Sequence, residues 1–248
     1  MTYCCGILVR DGIVMIADTR TNAGLDNIST FRKLHVFEKP GQHAFSIATA
    51  GNLSVTQNVL HFMRNGIENA KTKELEKLED MTDMFSAAQL IGRAVRKVGD
   101  AYGEAFEQSS VKFDVSFLFG GQIAGGPPRL FMIYTAGNFI ECTPDAPFLQ
   151  IGEHKYGKPI LDRAVNFETE LFDALKIGLI SMDSTIKSNL GVGLPIDIAV
   201  TRAGAPHYEV NARIDSSDAY FRDLRERWSA ALRAAHMGIP RPQYDSTS

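Results

Sequence analysis

The sequence predicts an α+β fold in which two stacked antiparallel sheets are covered by helices on both outer faces. Three observations predict it. The periodic segments run in the order ββββ, αα, βββ, αα, ββ, α. The strands within a group are joined by short turns, as antiparallel neighbours are. The helices fall between the groups, where each must bury one face against a sheet. A length of 248 residues with 44% hydrophobic and 22% charged content suits one domain with a substantial core. That domain is taken as residues 2–238, followed by a flexible, polar tail over 239–248.

In order along the chain, an apolar strand opens at Thr2, turns at Asp11-Gly12 and returns to Asp18-Thr19-Arg20. Residues 33–38 and 43–50 follow as strands around Lys39-Pro-Gly41, making the first four strands a meander. From 51 to 64 the spacing becomes helical, with Val55, Val59, Leu60 and Met63 on one face, and a second helix runs from 84 to about 106. The charged stretch 71–83 reads as a solvated connector. Strands at 113–120, 129–134 and 139–142 are separated by Gly125-Gly126-Pro-Pro128 and Ala136-Gly-Asn138. Helical segments at 157–165 and 169–180 precede a strand pair, 194–201 and 208–213, around Gly204-Ala-Pro206. A last helix begins near Ser216-Ser217 and carries Phe221, Leu224, Trp228 and Leu232, a stripe read as core.

Composition excludes several function classes. A net charge of −3 with no Lys/Arg run leaves nothing to neutralise phosphates, so neither nucleic acid nor an anionic membrane is an expected partner. The three cysteines form no CxxC pair, and Cys4 and Cys5 must point to opposite faces of one strand. Six scattered histidines make no HExxH motif, and neither G-x-S-x-G nor a P-loop occurs. No metal and no cofactor are therefore expected. The start of the chain lacks a basic region followed by a cleavable apolar stretch, and no run of about 18 apolar residues occurs, so the expected location is cytoplasmic.

The chemistry suggested by the residues lies at the beginning. If Met1 is removed, Thr2 carries both a hydroxyl and a free α-amine, whose reference pKa is roughly 7.7–8.0. One residue then supplies a nucleophile and the base that activates it. Removal of Met1 without a separate propeptide is expected, because the Thr2 side chain is small.

The pieces around this start carry a resemblance. Thr2 opens the first strand, Ala17-Asp18-Thr19-Arg20 ends the second, Gly24 follows, Lys33 opens the third, and Ala50-Gly51 ends the fourth. In that order and spacing the chain resembles a proteasome-type β subunit, a threonine-type N-terminal nucleophile hydrolase. Met-Thr-Tyr-Cys at 1–4, Thr-Asn-Ala-Gly at 21–24 and Asn-Ile-Ser-Thr-Phe-Arg-Lys at 27–33 are most similar to the bacterial ancestral-β-subunit branch, Anbu. The likeness spans most of the chain and is strongest over 2–52.

The resemblance implies an αββα sandwich, hydrolysis of peptide amides in peptides or unfolded proteins, and assembly of identical copies into a ring or an open helical stack. An ATPase or metabolic partner stays open. It also implies roles: Thr2 as nucleophile, Asp18 as the buried acid that orients Lys33, Lys33 as the cation that activates the hydroxyl, and the Gly51 N–H as the oxyanion donor. An ammonium beside Thr2 favours the alkoxide and disfavours a protonated amine, so the physics agrees. Asn22 and Thr49 match cleft-lining positions. Arg20 is read as a local support pairing with a carboxylate. Glu153 stands where the family places a serine, and Ser181–Ser188 holds an imperfect Asp-x-x-Ser counterpart in which Asp183 is favoured over Ser184 or Ser188. Two alternatives remain: an amidase acting on small peptide-like metabolites, and a non-catalytic ring subunit, against which the immediate start of the first strand counts.

Overall fold

A computed structural model of the chain describes residues 1–22, 28–69, 72–109 and 111–244, with the side chains of residues 22 and 28 outside that description. The elements are β1 (Tyr3–Val9), β2 (Gly12–Asp18), β3 (Arg20–Asn22), β4 (Ile28–Thr30), β5 (Leu34–Lys39), β6 (His43–Gly51), α1 (Leu53–Asn65), β7 (Ile67–Glu68), β8 (Leu75–Glu76) and α2 (Met84–Gln108). There follow β9 (Val115–Ile123), β10 (Arg129–Ile133), β11 (Phe139–Glu141), β12 (Phe148–Gly152), α3 (Lys158–Ala164), α4 (Leu171–Ser188), β13 (Ile196–Arg202), β14 (Val210–Ile214) and α5 (Ala219–Gly238).

Two five-stranded antiparallel sheets run β12-β1-β2-β13-β14 and β11-β10-β9-β6-β5. Period-2 alternation decides which residues face which layer. In β1, Cys4 points into the layer between the sheets with Met15, Ala48 and Leu118, while Cys5 and Ile7 point to the side of α3, α4 and α5. In β6, Phe45 and Ile47 point the other way, onto α1 and α2. Three apolar layers thus separate four structural ones, the predicted helix-sheet-sheet-helix sandwich. Both faces of β1 and β2 are buried, which is why β1, and β2 up to Ala17, are apolar runs. Burial pushes the Cys5 thiol up to about 12 and raises that of Cys4, so both behave as small apolar side chains.

The expected four-stranded meander is not a single sheet. β1 and β2 lie in one sheet, and β5 and β6 in the other. The small β3–β4 hairpin makes the crossing, too short to show a period. β12 is also absent from the sequence reading, although Pro147 and Gly152 punctuate its Phe148-Leu-Gln-Ile151. So are the two-residue strands β7 and β8, and the stretch read as a solvated connector holds β8 and the fully buried Leu78. Helix α4 continues to Ser188, eight residues past the expected end. In α5 only Phe221 and Leu224 are buried, whereas Leu232 is 51% exposed. The stripe read as core is therefore core over its first turns alone. Among the described residues no helix is long and apolar enough to cross a membrane.

Candidate active site

The site is assembled where the ends of β2 and β6 meet the starts of β1 and β5. Register places Cys4 opposite Ala17, which brings the Asp18 carboxylate to the head of β1. Its Oδ1 accepts hydrogen bonds from the Tyr3 backbone N–H at 3.0 Å and from Lys33 Nζ at 2.8 Å. Its Oδ2 accepts from the Arg20 and Gly193 backbone N–H groups at 3.1 and 3.4 Å. Both members of the Asp18–Lys33 pair are buried. Burial raises the Asp18 pKa, opposed by the Lys33 ammonium and by the Tyr3 and Gly193 N–H groups. Four donors converge on two oxygens and none needs an acid proton, so this cage suits the carboxylate.

Lys33 Nζ spends its remaining donors on the Arg20 carbonyl at 2.6 Å and the Met1 carbonyl at 3.3 Å. The ammonium therefore sits directly at the Met1–Thr2 peptide bond. Outward from it, Met1, Thr2, Ala50, Gly51, Gly152 and Glu153 line a cleft of about 350 Å³ shared with Asp114 and Ser116.

Two glycines allow the walls to close. Gly51 has φ +103°, and a Cβ there would lie 2.1 Å from the Asp114 carbonyl oxygen. Gly152 has φ +81°, and its Cβ would meet the Thr2 carbonyl oxygen at the same distance. The chain passes from Gly51 through the cap residue Asn52, whose Oδ1 accepts from the Ser54 N–H at 3.0 Å, into α1. The partially positive end of that helix thus begins two residues from the cleft, where negative charge is stabilised.

β12 delivers Glu153 to Thr2. Tyr3 pairs with Gly152, and one step further the Glu153 N–H donates to the Thr2 carbonyl at 2.7 Å. The Glu153 carboxylate accepts from Asn189 Nδ2 at 3.1 Å.

The structure brings together Thr2, Asp18, Lys33, Gly51 and Glu153. It does not bring Asp183 to them. That carboxylate is buried on α4 and faces α5, paired with Arg225 Nε at 2.5 Å and with Lys187 Nζ at 4.0 Å, so it ties two helices together. The Ser184 hydroxyl donates to the Ile180 carbonyl on the same helix, and Ser188 is exposed on the last turn. Thr49 is buried one residue before the cleft, its N–H on the Lys33 carbonyl. Asn22 closes β3, and its side chain lies outside the described residues, as does Gly24. Arg20 does support local structure, through the Leu190 carbonyl at 3.1 Å and, among the described residues, through no carboxylate side chain. Sequence reading missed residues 189–193, which supply Asn189 and Gly193. Their glycine-rich composition, Asn-Leu-Gly-Val-Gly, reads as an ordinary loop, and only the topology brings it back to β1.

Comparison with known proteins agrees with this fold. A family model described as proteasome subunit matches residues 2–201. No curated protein matches the chain. Among solved structures, an Anbu (Gly-1) mutant from Hyphomicrobium sp. strain MC1 is 43% identical, with a TM-score of 0.87 over 98% of this chain and 100% of that one. Anbu (ancestral beta-subunit) from Yersinia bercovieri is 40% identical, with a TM-score of 0.88 over 98% and 99%. The helical assembly of the Anbu complex from Pseudomonas aeruginosa is 41% identical, with a TM-score of 0.89 over 99% and 100%.

Proposed function

This chain belongs to the proteasome-subunit family, in its Anbu branch, and from that premise we propose that it is a threonine peptidase whose nucleophile is Thr2 Oγ once Met1 and anything else ahead of Thr2 has been removed. The observation that carries the reading is the position of the Lys33 ammonium, held by buried Asp18 and touching the Met1–Thr2 peptide bond. Cutting that bond removes the Met1 carbonyl and frees one Lys33 N–H beside Thr2. The same cut creates the α-amine.

In the reaction that follows, the Thr2 hydroxyl gives its proton to the α-amine as Oγ adds to the substrate carbonyl carbon. The Gly51 N–H, with the start of α1 behind it, meets the oxyanion; a donor in that place is typically worth about 2.7–4 kcal/mol of barrier. The C–N bond then breaks and the proton leaves on the amine product. Water, with the α-amine again as base, hydrolyses the ester and restores Thr2. No step calls for a metal or an organic cofactor.

The direct test of maturation is the intact mass of protein from its natural host, expected to correspond to a chain starting at Thr2. A retained Met1 overturns the mechanism, since Thr2 would have no amine.

The homo-oligomer expected from the resemblance belongs to the same proposal. A small domain with an open cleft and no lid among its described residues restricts access to folded proteins by enclosing the site between copies of itself. The Pseudomonas aeruginosa relative, described as a helical assembly, supports this. Light scattering coupled to size exclusion at micromolar concentration is expected to give a mass many times that of one chain. A stable monomer instead favours the amidase that acts on small molecules.

A further inference from the structure

Besides Asp114 on its rim, the cleft holds a carboxylate that the mechanism above does not use. Glu153 lines it beside Thr2, and only 11% of its side chain is exposed. Its carboxylate is held in place: Oε2 accepts from Asn189 Nδ2 at 3.1 Å, and Asn189 Oδ1 in turn accepts from the Gly191 N–H at 2.8 Å. Gly191 abuts the residue ahead of Thr2, since a Cβ on it would come within 2.6 Å of the Met1 Cβ. Glu153, Asn189 and Gly191 are therefore one connected wall around the Met1–Thr2 peptide, which is where the α-amine is exposed when that bond is cut.

We infer that Glu153 is the counter-ion of the Thr2 α-ammonium in the processed chain, a positioning residue that sets the pH at which this amine becomes a base. The inference rests on the reading of Thr2 as nucleophile. The charged groups around the amine divide clearly. Lys33 disfavours the ammonium, but its charge is matched by Asp18 at 2.8 Å. Lys155 lies 3.7 Å from Glu153 Oε1 and its side chain is 74% exposed, so solvent screens it. Asp114 is on the exposed rim of the cleft. Arg20 turns its guanidinium to the Leu190 carbonyl and packs on Gly193, and among the described residues Glu153 is left as the shielded carboxylate with no buried cation of its own. A carboxylate so placed favours the charged amine and raises its pKa. Because only the neutral amine accepts the Thr2 proton, the acid limb of reactivity lies at a higher pH with Glu153 than without it.

The test is the rate at which a β-lactone acylates the processed protein, followed by intact mass from pH 5 to pH 9. Glu153→Gln removes the charge while its amide oxygen still accepts from Asn189. Its acid limb is expected to move down by about one pH unit, making it about tenfold faster than wild type well below the limb. Asn189→Ala, which unlatches the carboxylate but keeps it, is expected to move the limb the same way by less, and serves if Glu153→Gln does not fold. An unmoved limb, or a loss uniform across pH, overturns the inference. A wild-type protein that starts at Thr2 and takes no label at any pH overturns the nucleophile reading itself and this inference with it, a result distinct from labelling with an unmoved limb.

Discussion

Thr2→Ala is expected to abolish both peptide-amide hydrolysis and labelling by a β-lactone or epoxyketone, while the fold stays in place. Removing the nucleophile of a cooperative hydrolytic unit costs on the order of 10⁶ in turnover, because the remaining members have nothing to activate. Alanine keeps what position 2 gives the fold, the backbone carbonyl that accepts from the Glu153 N–H. It is also small enough to leave removal of Met1 unaffected, which the intact mass of the variant checks. The two cysteines of the same strand are poor substitutes. Cys4 and Cys5 are fully buried, and burial holds both thiols protonated at neutral pH. Labelling that persists undiminished in Thr2→Ala places the nucleophile elsewhere and ends the threonine mechanism.

The parts of this arrangement that could be read in the sequence are those fixed by local pattern. Apolar runs bounded by turn residues locate β1, β2, β5 and β6, and the helical spacing of Val55, Val59, Leu60 and Met63 locates α1. Thr2, Asp18, Lys33 and Gly51 all sit at the ends of such elements, so finding the elements nearly finds the site. What was not legible depends on how distant pieces meet. The division of the first four strands between two sheets follows from three-dimensional crossing at a hairpin of two three-residue strands, not from any periodicity. Asp183 looked suitable because its sequence neighbourhood resembles a supporting motif. It is one turn of α4 that decides the matter, since Ser181 reaches the Tyr3 hydroxyl at 2.6 Å while Asp183 turns toward Arg225 on α5. Asn189 and Gly193 belong to a loop whose composition carries no signal. Their importance comes from topology, because β13 returns beside β2 and draws the preceding loop across the head of β1.

Lys33→Ala is expected to remove activity as completely as Thr2→Ala, but at a cost in stability that Thr2→Ala does not carry. The reason is Asp18, which is fully buried and keeps only the Tyr3, Arg20 and Gly193 backbone N–H groups when the ammonium is gone. Removing one partner of a buried pair typically destabilises by about 3–5 kcal/mol, because the other charge is left uncompensated. The pH dependence separates this from a packing defect. Burial already raises the Asp18 pKa above its ordinary value of 3.8, and loss of Lys33 raises it further. A folded-state pKa above the unfolded one means the folded chain binds more protons between the two values. Stability attributable to this group therefore falls as pH rises from the ordinary carboxylate pKa through the raised one. The deficit of Lys33→Ala should be full above that window and shrink below it. Adding Asp18→Asn removes the stranded charge, so the double variant is expected to regain much of the stability at neutral pH and none of the activity. Urea unfolding at matched protein concentration, run from pH 4 to pH 8 beside β-lactone labelling, measures both effects. A Lys33→Ala protein that labels at the wild-type rate shows that the ammonium does not activate Thr2, and a deficit independent of pH shows that Asp18 is not the group left exposed to the loss.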